Sequence, residues 1–233
     1  IRDSPWLVRS QDAIGFDEIA GSAFSADDDK NLYKNYMELG QISRGTITVP
    51  GDAGFVFNGN INFDPRDGMQ ADHLFKPLPP SVSDDTAFHD RWSAYLPGWE
   101  IPKISPEGAS SDYGFITDYF CEIMHELRWL DVSAPIKSRF ELFDQSGTGP
   151  GLTSRDVRAI YKTLSGLLKL MYPHSEVSDD QLEELVSLAI EGRQRIRNQL
   201  HLMAPGEDAP VQISARILKN RKVIAPTLIE GDR

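Results

Sequence analysis

The chain has 233 residues and a formal net charge of −11, from 35 Asp and Glu against 24 Lys and Arg. Its 40% hydrophobic content excludes an intrinsically disordered chain, and its single cysteine, Cys121, excludes an internal disulfide scaffold. No apolar run approaches the ~20 residues that a membrane-spanning helix needs, so we expect a cytoplasmic protein without a membrane partner.

The first predicted element is a short buried strand over residues 13–16, which ends directly before the carboxylates of Asp17 and Glu18. Residues 27–39 then carry apolar side chains at helical spacing, and Gly40 stands where a C-cap glycine belongs. The sequence therefore predicts a strand and a helix, with paired carboxylates at the end of the strand.

Further short strands are predicted in the first hundred residues. Apolar and polar side chains alternate over residues 42–49, which predicts a strand. Residues 53–57 predict a second buried strand, which is followed by Asn58-Gly59-Asn60. The Pro, Gly and Asp content of residues 64–86 predicts a long loop, and residues 94–101 predict a third strand. This part of the chain is therefore expected to be α/β.

Helical patterns dominate the second half of the chain. Residues 113–130 predict one helix, and residues 135–143 predict a shorter one. Thr153 and Ser178 are the expected N-caps of two longer amphipathic helices. An all-α unit is therefore expected after the α/β part. It is followed by two predicted hairpin strands, at residues 211–218 and 223–228.

Two strand ends carry candidate chemistry. An acidic residue at a strand end can help to hold Mg²⁺, which is a candidate role for Asp17. A second carboxylate beside it, here Glu18, can polarise an attacking water. If the two buried strands are neighbours, the amide of Asn58 or Asn60 would lie beside that pair and orient a water against a phosphate. The alternatives are a plain surface turn for the carboxylates and an ordinary Asn-Gly turn.

Two arginines are candidate phosphate ligands, because a guanidinium recognises phosphate oxygens in a rigid, bidentate manner. Arg91 follows Asp90, and Arg155 stands at the start of a capped helix. The alternatives are a surface salt bridge made by Asp90 and a solvated side chain for Arg155. The sequence contains no G-x-x-x-x-G-K-[ST], G-x-S-x-G, H-E-x-x-H or C-x-x-C motif.

The order of these pieces is that of an AAA+ ATPase, with Walker B, sensor 1, arginine finger, sensor 2 and lid in turn. From about residue 10 to residue 202, the amino-acid sequence resembles the BrxL family of Lon-protease-like proteins from bacterial BREX phage-exclusion systems. The segments that carry this resemblance are Phe16-Asp17-Glu18-Ile19-Ala20-Gly21, Tyr36-Met37-Glu38, Ser43-Arg44-Gly45, Gly59-Asn60-Ile61-Asn62, Leu74-Phe75, Asp90-Arg91, Tyr95-Leu96-Pro97-Gly98-Trp99-Glu100-Ile101-Pro102-Lys103, Ser165-Gly166-Leu167 and Glu191-Gly192-Arg193.

This resemblance implies roles for the candidate residues. Asp17 and Glu18 would be Walker B, for Mg²⁺ and the catalytic water, and Asn60 would be sensor 1, with Asn58 as the competing choice. Arg91 would be the arginine finger, which reaches the nucleotide of the next subunit in a ring. Arg155 would be sensor 2.

The resemblance also implies partners. Residues 43–54 match in position the hairpin that faces DNA in the channel of replicative ring helicases, so the expected DNA contacts are Ser43, Arg44, Thr46 and Thr48. The expected assembly is a homo-oligomeric ring, a hexamer, with DNA and other BREX proteins as partners. The expected cofactors are ATP and Mg²⁺.

The domain expectations follow the same resemblance. Residues 1–105 would be the C-terminal part of the AAA+ α/β core, residues 106–203 a helical lid, and residues 204–233 a linker and the start of a Lon-like domain. The P-loop strand of the family would lie before Ile1, so the chain is expected to be a fragment with an incomplete ATP site that is inactive alone. The rival hypotheses are an ATP-dependent Lon-like serine protease with its catalytic domain outside this chain, and a non-catalytic DNA-binding or assembly module.

Overall fold

The computed structural model describes residues 6–19, 27–44, 46–61, 73–108, 110–132, 134–147, 151–174 and 176–226. The first part of the chain is built from short strands and one long helix. Its elements are α1 (Leu7–Ser10), β1 (Ala13–Phe16), α2 (Asp27–Leu39), β2 (Gln41–Arg44), β3 (Ile47–Pro50) and β4 (Gly54–Phe57).

The two strands predicted as buried are neighbours, although residues of both are half-buried or exposed in the structure. β1 pairs with β4 in parallel, and the register places Phe16 opposite Phe57. Parallel pairing aligns the carboxyl ends of the two strands, so the polar residues that follow each strand meet at one edge. The predicted bounds of α2 are confirmed, and Gly40 ends it with a φ of +67°, which favours glycine.

The alternating segment 42–49 forms a hairpin rather than one strand. β2 and β3 are antiparallel, with Ile42 opposite Val49. Both of these side chains are buried, and they pack with Tyr36 of α2 in one small apolar core. The apolar face of the β2–β3 hairpin therefore packs against helix α2.

A set of short elements connects this part to the long helices. They are α3 (Pro80–Ser83), α4 (Thr86–His89), 3₁₀ turns at Gly98–Glu100 and Pro106–Gly108, α5 (Thr117–Leu127) and α6 (Ala134–Lys137). The strand predicted over residues 94–101 is wrong, because Pro97 cannot donate to a β-ladder. The Tyr95 N–H instead donates to the Gly192 carbonyl at 3.0 Å.

The second part contains two long helices and a sheet. Its elements are β5 (Phe140–Asp144), α7 (Ser154–Met171), α8 (Asp179–Met203), β6 (Ile213–Ile217) and β7 (Val223–Ile224). The capping boxes at Thr153 and Ser178 are both formed, so the predicted helix starts are confirmed.

The all-α description of residues 106–203 needs correction. The helix predicted over residues 135–143 is α6 followed by β5, and β5 pairs with β6 in an antiparallel sheet that continues to β7. Ile213 and Ala215 of β6 lie in the same apolar core as Ile160 of α7 and Leu185 of α8. Residues 211–224 therefore pack as part of the helical unit, and the predicted division at residue 204 passes through it.

Helix α8 and the segment after α4 approach each other at a glycine. A β-carbon at Gly192 would lie 2.8 Å from the Cβ of Ala94, whereas a β-carbon at Gly166, inside α7, would meet nothing within 4 Å. We expect Gly192→Ala to lower the free energy of unfolding by about 1–3 kcal/mol, because overpacking forces the backbones apart. Gly166→Ala should raise it by up to about 1 kcal/mol, because alanine favours helix. Urea unfolding of both variants measures the contrast, and equal stabilities would contradict this packing.

Candidate functional site

The carboxyl edge of the β1–β4 pair brings two predicted site residues into contact. The side-chain amide of Asn58 donates to a carboxylate oxygen of Asp17 at 3.2 Å. The backbone supports this contact, because the Asn58 N–H donates to the Phe16 carbonyl at 2.8 Å and the Ile19 N–H to the Asn58 carbonyl at 3.0 Å. The structure therefore places Asn58 at this contact, while Asn60 lies two residues further along and is exposed.

Glu18 occupies an unusual backbone conformation beside this contact. Its φ is +47°, in the left-handed region, which costs a non-glycine residue about 1–2 kcal/mol. Its N–H donates to a carboxylate oxygen of Asp17 at 3.1 Å, and its side chain is exposed. The carboxylate of Glu18 therefore stands in solvent on a sharp turn at the strand end.

A cleft of about 1620 Å³ lies next to this edge. Strand β4 forms one wall, together with Asn58 and Asn60. Arg91 and Arg155 lie on another wall, so four of the candidate site residues line the cleft and Asp17 adjoins it through Asn58. Among the residues that the structure describes, β4 pairs only with β1, so its second edge is open towards this space.

The two predicted phosphate-binding arginines share one carboxylate that the sequence interpretation missed. Glu38, near the C-terminal end of α2, lies 3.3 Å from Arg91 Nε and 3.1 Å from Arg155 Nε. Arg158 Nη2 approaches the other oxygen of Glu38 at 3.2 Å. The sequence holds one hint of a role for Glu38, its place in the Tyr36-Met37-Glu38 segment. Its pairing with three arginines, up to about 120 residues away, leaves no local pattern.

A second carboxylate extends this network into the protein interior. Asp90 accepts from Arg155 Nη1 at 2.8 Å and from Arg193 Nη2 at 2.5 Å. Arg193 is fully buried and donates its Nε–H to Asp156, which is also fully buried, at 2.8 Å. The predicted salt bridge of Asp90 thus exists, but it lies mostly inside the protein and joins α7 and α8 to the segment after α4.

The carboxyl groups of this network are held in their charged form. Burial alone would raise the pKa of Glu38, but the hydrogen bond and charge of Arg155, with the charges of Arg158 and Arg91, lower it below its ordinary value. Burial would likewise raise the pKa of Asp90, and the charges and hydrogen bonds of Arg193 and Arg155 lower it. Glu38 and Asp90 therefore stay ionised at neutral pH.

Comparisons with known proteins identify the family. The family described as "Lon-like protease BrxL-like, ATPase domain" matches residues 2–214. The chain belongs to this BrxL-like ATPase family. It is 42% identical over 194 residues to the "Lon-like protease BrxL" of Bacillus cereus (strain H3081.97), which covers 83% of the chain and 28% of the relative. Identity to the protein of the same name from Escherichia coli O9:H4 (strain HS) is also 42%, over 83% of the chain and 27% of the relative.

The chain therefore spans less than a third of the length of these curated relatives. In the part of this BrxL-like chain that the structure describes, no helix is both long and apolar enough to cross a bilayer. No group of three or more His, Cys, Asp or Glu side chains gathers into a metal cluster within the described ranges. The carboxylate of Asp17 is exposed, so with Glu18 beside it this strand end could hold Mg²⁺ only together with substrate phosphates and water.

The hairpin predicted to contact DNA is formed in this BrxL-like chain. The hydroxyls of Ser43 and Thr48 face each other across β2 and β3 at 3.0 Å, and both residues are exposed. Thr46 lies exposed at the turn, while the side chain of Arg44 is outside the described residues. The hairpin is in place as an exposed element, and its contact with DNA stays a prediction.

A buried histidine directly before Asp90 gives the fold a pH dependence. His89 stacks on Phe75 with ring centroids 4.4 Å apart, and its Nε2 lies 3.1 Å from the Ser83 carbonyl. Burial lowers the pKa of His89 to about 4, with a smaller lowering from nearby His73; the hydrogen bond to Ser83 and the charge of Asp85 oppose it. The folded protein therefore holds this histidine neutral.

Acidification should consequently weaken the fold before the carboxylates titrate. The unfolded chain takes up the His89 proton near its ordinary pKa of about 6.5, whereas the folded chain does not, so stability is full above that value and falls as the pH falls. We expect a loss of about 2 kcal/mol between about pH 7 and about pH 5, measured by urea unfolding. His89→Gln should flatten this slope, and His174→Gln, at an exposed site, should leave it intact. An unchanged slope in His89→Gln would refute the assignment.

Proposed function

We propose that this chain is the Walker B, sensor 1 and lid part of an ATP-hydrolysing ring motor that acts on DNA in phage defence. The observation that carries the proposal is the contact between Asp17 and Asn58 at the carboxyl edge of a parallel strand pair, beside a cleft lined by Arg91 and Arg155. Ligands of open α/β sheets bind at such edges. The membership of an ATPase family supports the same reaction class.

In this proposal the strand end supplies the hydrolytic groups. Asp17 holds Mg²⁺ together with the phosphates of ATP, and Glu18 polarises the attacking water. The left-handed backbone of Glu18 supports its role, because strained residues that the fold tolerates cluster at functional sites. Asn58 takes the sensor 1 role in preference to Asn60, since Asn58 contacts Asp17.

The cations of the cleft wall supply the remaining charge stabilisation. Arg155 acts as sensor 2, and Arg91 acts as the arginine finger at the interface with the next subunit of a hexameric ring. Guanidinium groups fixed beside a phosphate stabilise the charge that develops in its transfer. In this proposal the P-loop strand implied by the family lies along the edge of β4 that pairs with no other strand among the described residues.

The motor acts on DNA through the β2–β3 hairpin, and other BREX proteins are further partners. The support for the DNA contact is the exposed hairpin itself, with Ser43, Thr46 and Thr48 on its surface. The relatives are named Lon-like proteases, and this name favours a second candidate function, that of an ATP-dependent peptidase. Its catalytic groups would lie in the part of those relatives that this chain does not match.

The test is ATP hydrolysis by a form of the protein long enough to include the P-loop region, before and after Glu18→Gln. Loss of hydrolysis with retained ATP binding supports the motor. Degradation of casein by the same protein, lost on changing a single serine outside residues 1–233, supports the peptidase. Binding of DNA without any ATP turnover supports a non-catalytic module.

A further inference from the structure

The cleft wall is rich in cations, although three carboxylates, Glu38, Asp52 and Asp90, also line it and Asp90 accepts from Arg155. Glu38 is one carboxylate shared by three guanidinium groups, those of Arg91, Arg155 and Arg158. All four of these residues line the cleft. In a chain with a net charge of −11, three guanidinium groups gathered on one carboxylate form a candidate site for an added anion.

Lys162 adds a further cation to the same wall. It follows Arg158 by four positions on α7, so both side chains lie on one face of the helix, and both line the cleft. Within the described residues, Lys162 has no carboxylate partner. The wall thus presents a row of cations that repel one another.

The position of Glu38 is unfavourable for the helix that carries it. Glu38 is the last residue but one of α2, and the last turn of that helix holds no basic residue. The C-terminal end of a helix carries partial negative charge, which disfavours a carboxylate by roughly 0.3–1 kcal/mol. The presence of a carboxylate at position 38 is therefore not explained by helix stability. Among the described residues, Glu38 forms ion pairs with the three cleft arginines.

We propose that Glu38 is an exchangeable counter-ion, which holds the cleft arginines in place until a nucleotide phosphate group takes over its position. A phosphate offers three oxygens and up to two charges to the three guanidinium groups that share Glu38, while Arg155 keeps its second partner, Asp90. When the phosphate binds, it replaces Glu38 as the anionic partner of Arg91, Arg155 and Arg158. Lys162, which lines the same cleft, then has an anion nearby. The inference rests on the proposed function only in naming a nucleotide as the source of the phosphate.

The counter-ion role predicts an increase in affinity when the carboxylate is neutralised. In Glu38→Gln the phosphate no longer competes with a carboxylate, so the affinity of the 233-residue chain for inorganic tripolyphosphate should rise about threefold to tenfold. A merely structural Glu38 predicts the opposite, because the arginines would disperse on its loss. Isothermal titration calorimetry at low salt measures the binding, and circular dichroism checks that the variant is folded.

Three further variants sharpen the comparison. Glu38→Asp keeps a competing carboxylate, so its affinity should stay close to that of the unchanged chain. Glu184→Gln removes the same charge from an exposed position of α8 outside the cleft, and should leave the affinity unchanged. Arg158→Gln should weaken binding in the presence and in the absence of Glu38.

Each outcome decides the proposal. Tighter binding by Glu38→Gln and weaker binding by Arg158→Gln support it. Equal or weaker binding by a folded Glu38→Gln overturns it, and so does a failure of both forms to bind tripolyphosphate. The measurement needs neither hydrolysis nor Mg²⁺, so a protein that hydrolyses ATP normally while Glu38→Gln shows no gain would refute this inference and leave the proposed function standing.

Discussion

Arg193→Ala is expected to lower the free energy of unfolding by about 3–5 kcal/mol, the range found when one partner of a buried ion pair is removed. The Arg193 guanidinium is fully buried and donates to the carboxylates of Asp156 and Asp90. It also donates to the carbonyls of Asp90 and Trp92, at 2.9 and 2.7 Å. Its loss leaves the buried Asp156 with its hydrogen bonds from Thr153 and, among the described residues, with Arg197 at 3.9 Å as its remaining cation.

Two variants test whether charge or geometry matters at this position. Arg193→Lys keeps the charge but not the planar fork, so it should still lose a large part of the stability. Arg216→Ala is the control, because Arg216 is half-exposed and its pairing with Glu141 at 3.6 Å should be worth less than about 1 kcal/mol. Urea unfolding measures all three. An Arg193→Ala protein within about 1 kcal/mol of the unchanged protein would show that the network does not hold α7 and α8 to the first part.

Local signals explain what the sequence could predict. The caps at Thr153 and Ser178 and the C-cap glycine at Gly40 act over a few residues, so the bounds of the long helices follow from them. The closeness of Asp17 to Asn58 is predicted only on the condition that the two strands are neighbours, and their parallel pairing fulfils that condition.

Long-range pairing explains what the sequence could not predict. Strand β5 was interpreted as helix because its partner β6 lies about 70 residues away, and no local pattern marks that pairing. The choice between Asn58 and Asn60 depends on where β4 ends relative to β1, a matter of one or two residues. Glu38 shows the same limit, since an acidic residue near a helix end gives no sign of three arginines from two distant segments.

The proposed ATPase predicts its largest effect at Glu18. In Glu18→Gln the side chain keeps its size but loses the charge that polarises the attacking water, so ATP turnover should fall by about 10²–10⁴-fold, the usual contribution of a general base. Binding of ATP should change little, because Asp17 and the cleft cations remain. Glu122→Gln, at an exposed position of α5, is the control and should leave turnover unchanged.

The most direct measurement of this account is the steady-state rate of phosphate release from ATP by the protein with its P-loop region, compared between the unchanged form and Glu18→Gln, with ATP binding followed in parallel. The account predicts that turnover collapses by at least about 100-fold while the dissociation constant for ATP stays within about threefold. Turnover by Glu18→Gln within about threefold of the unchanged protein would contradict the assignment of the β1 edge as the hydrolytic site.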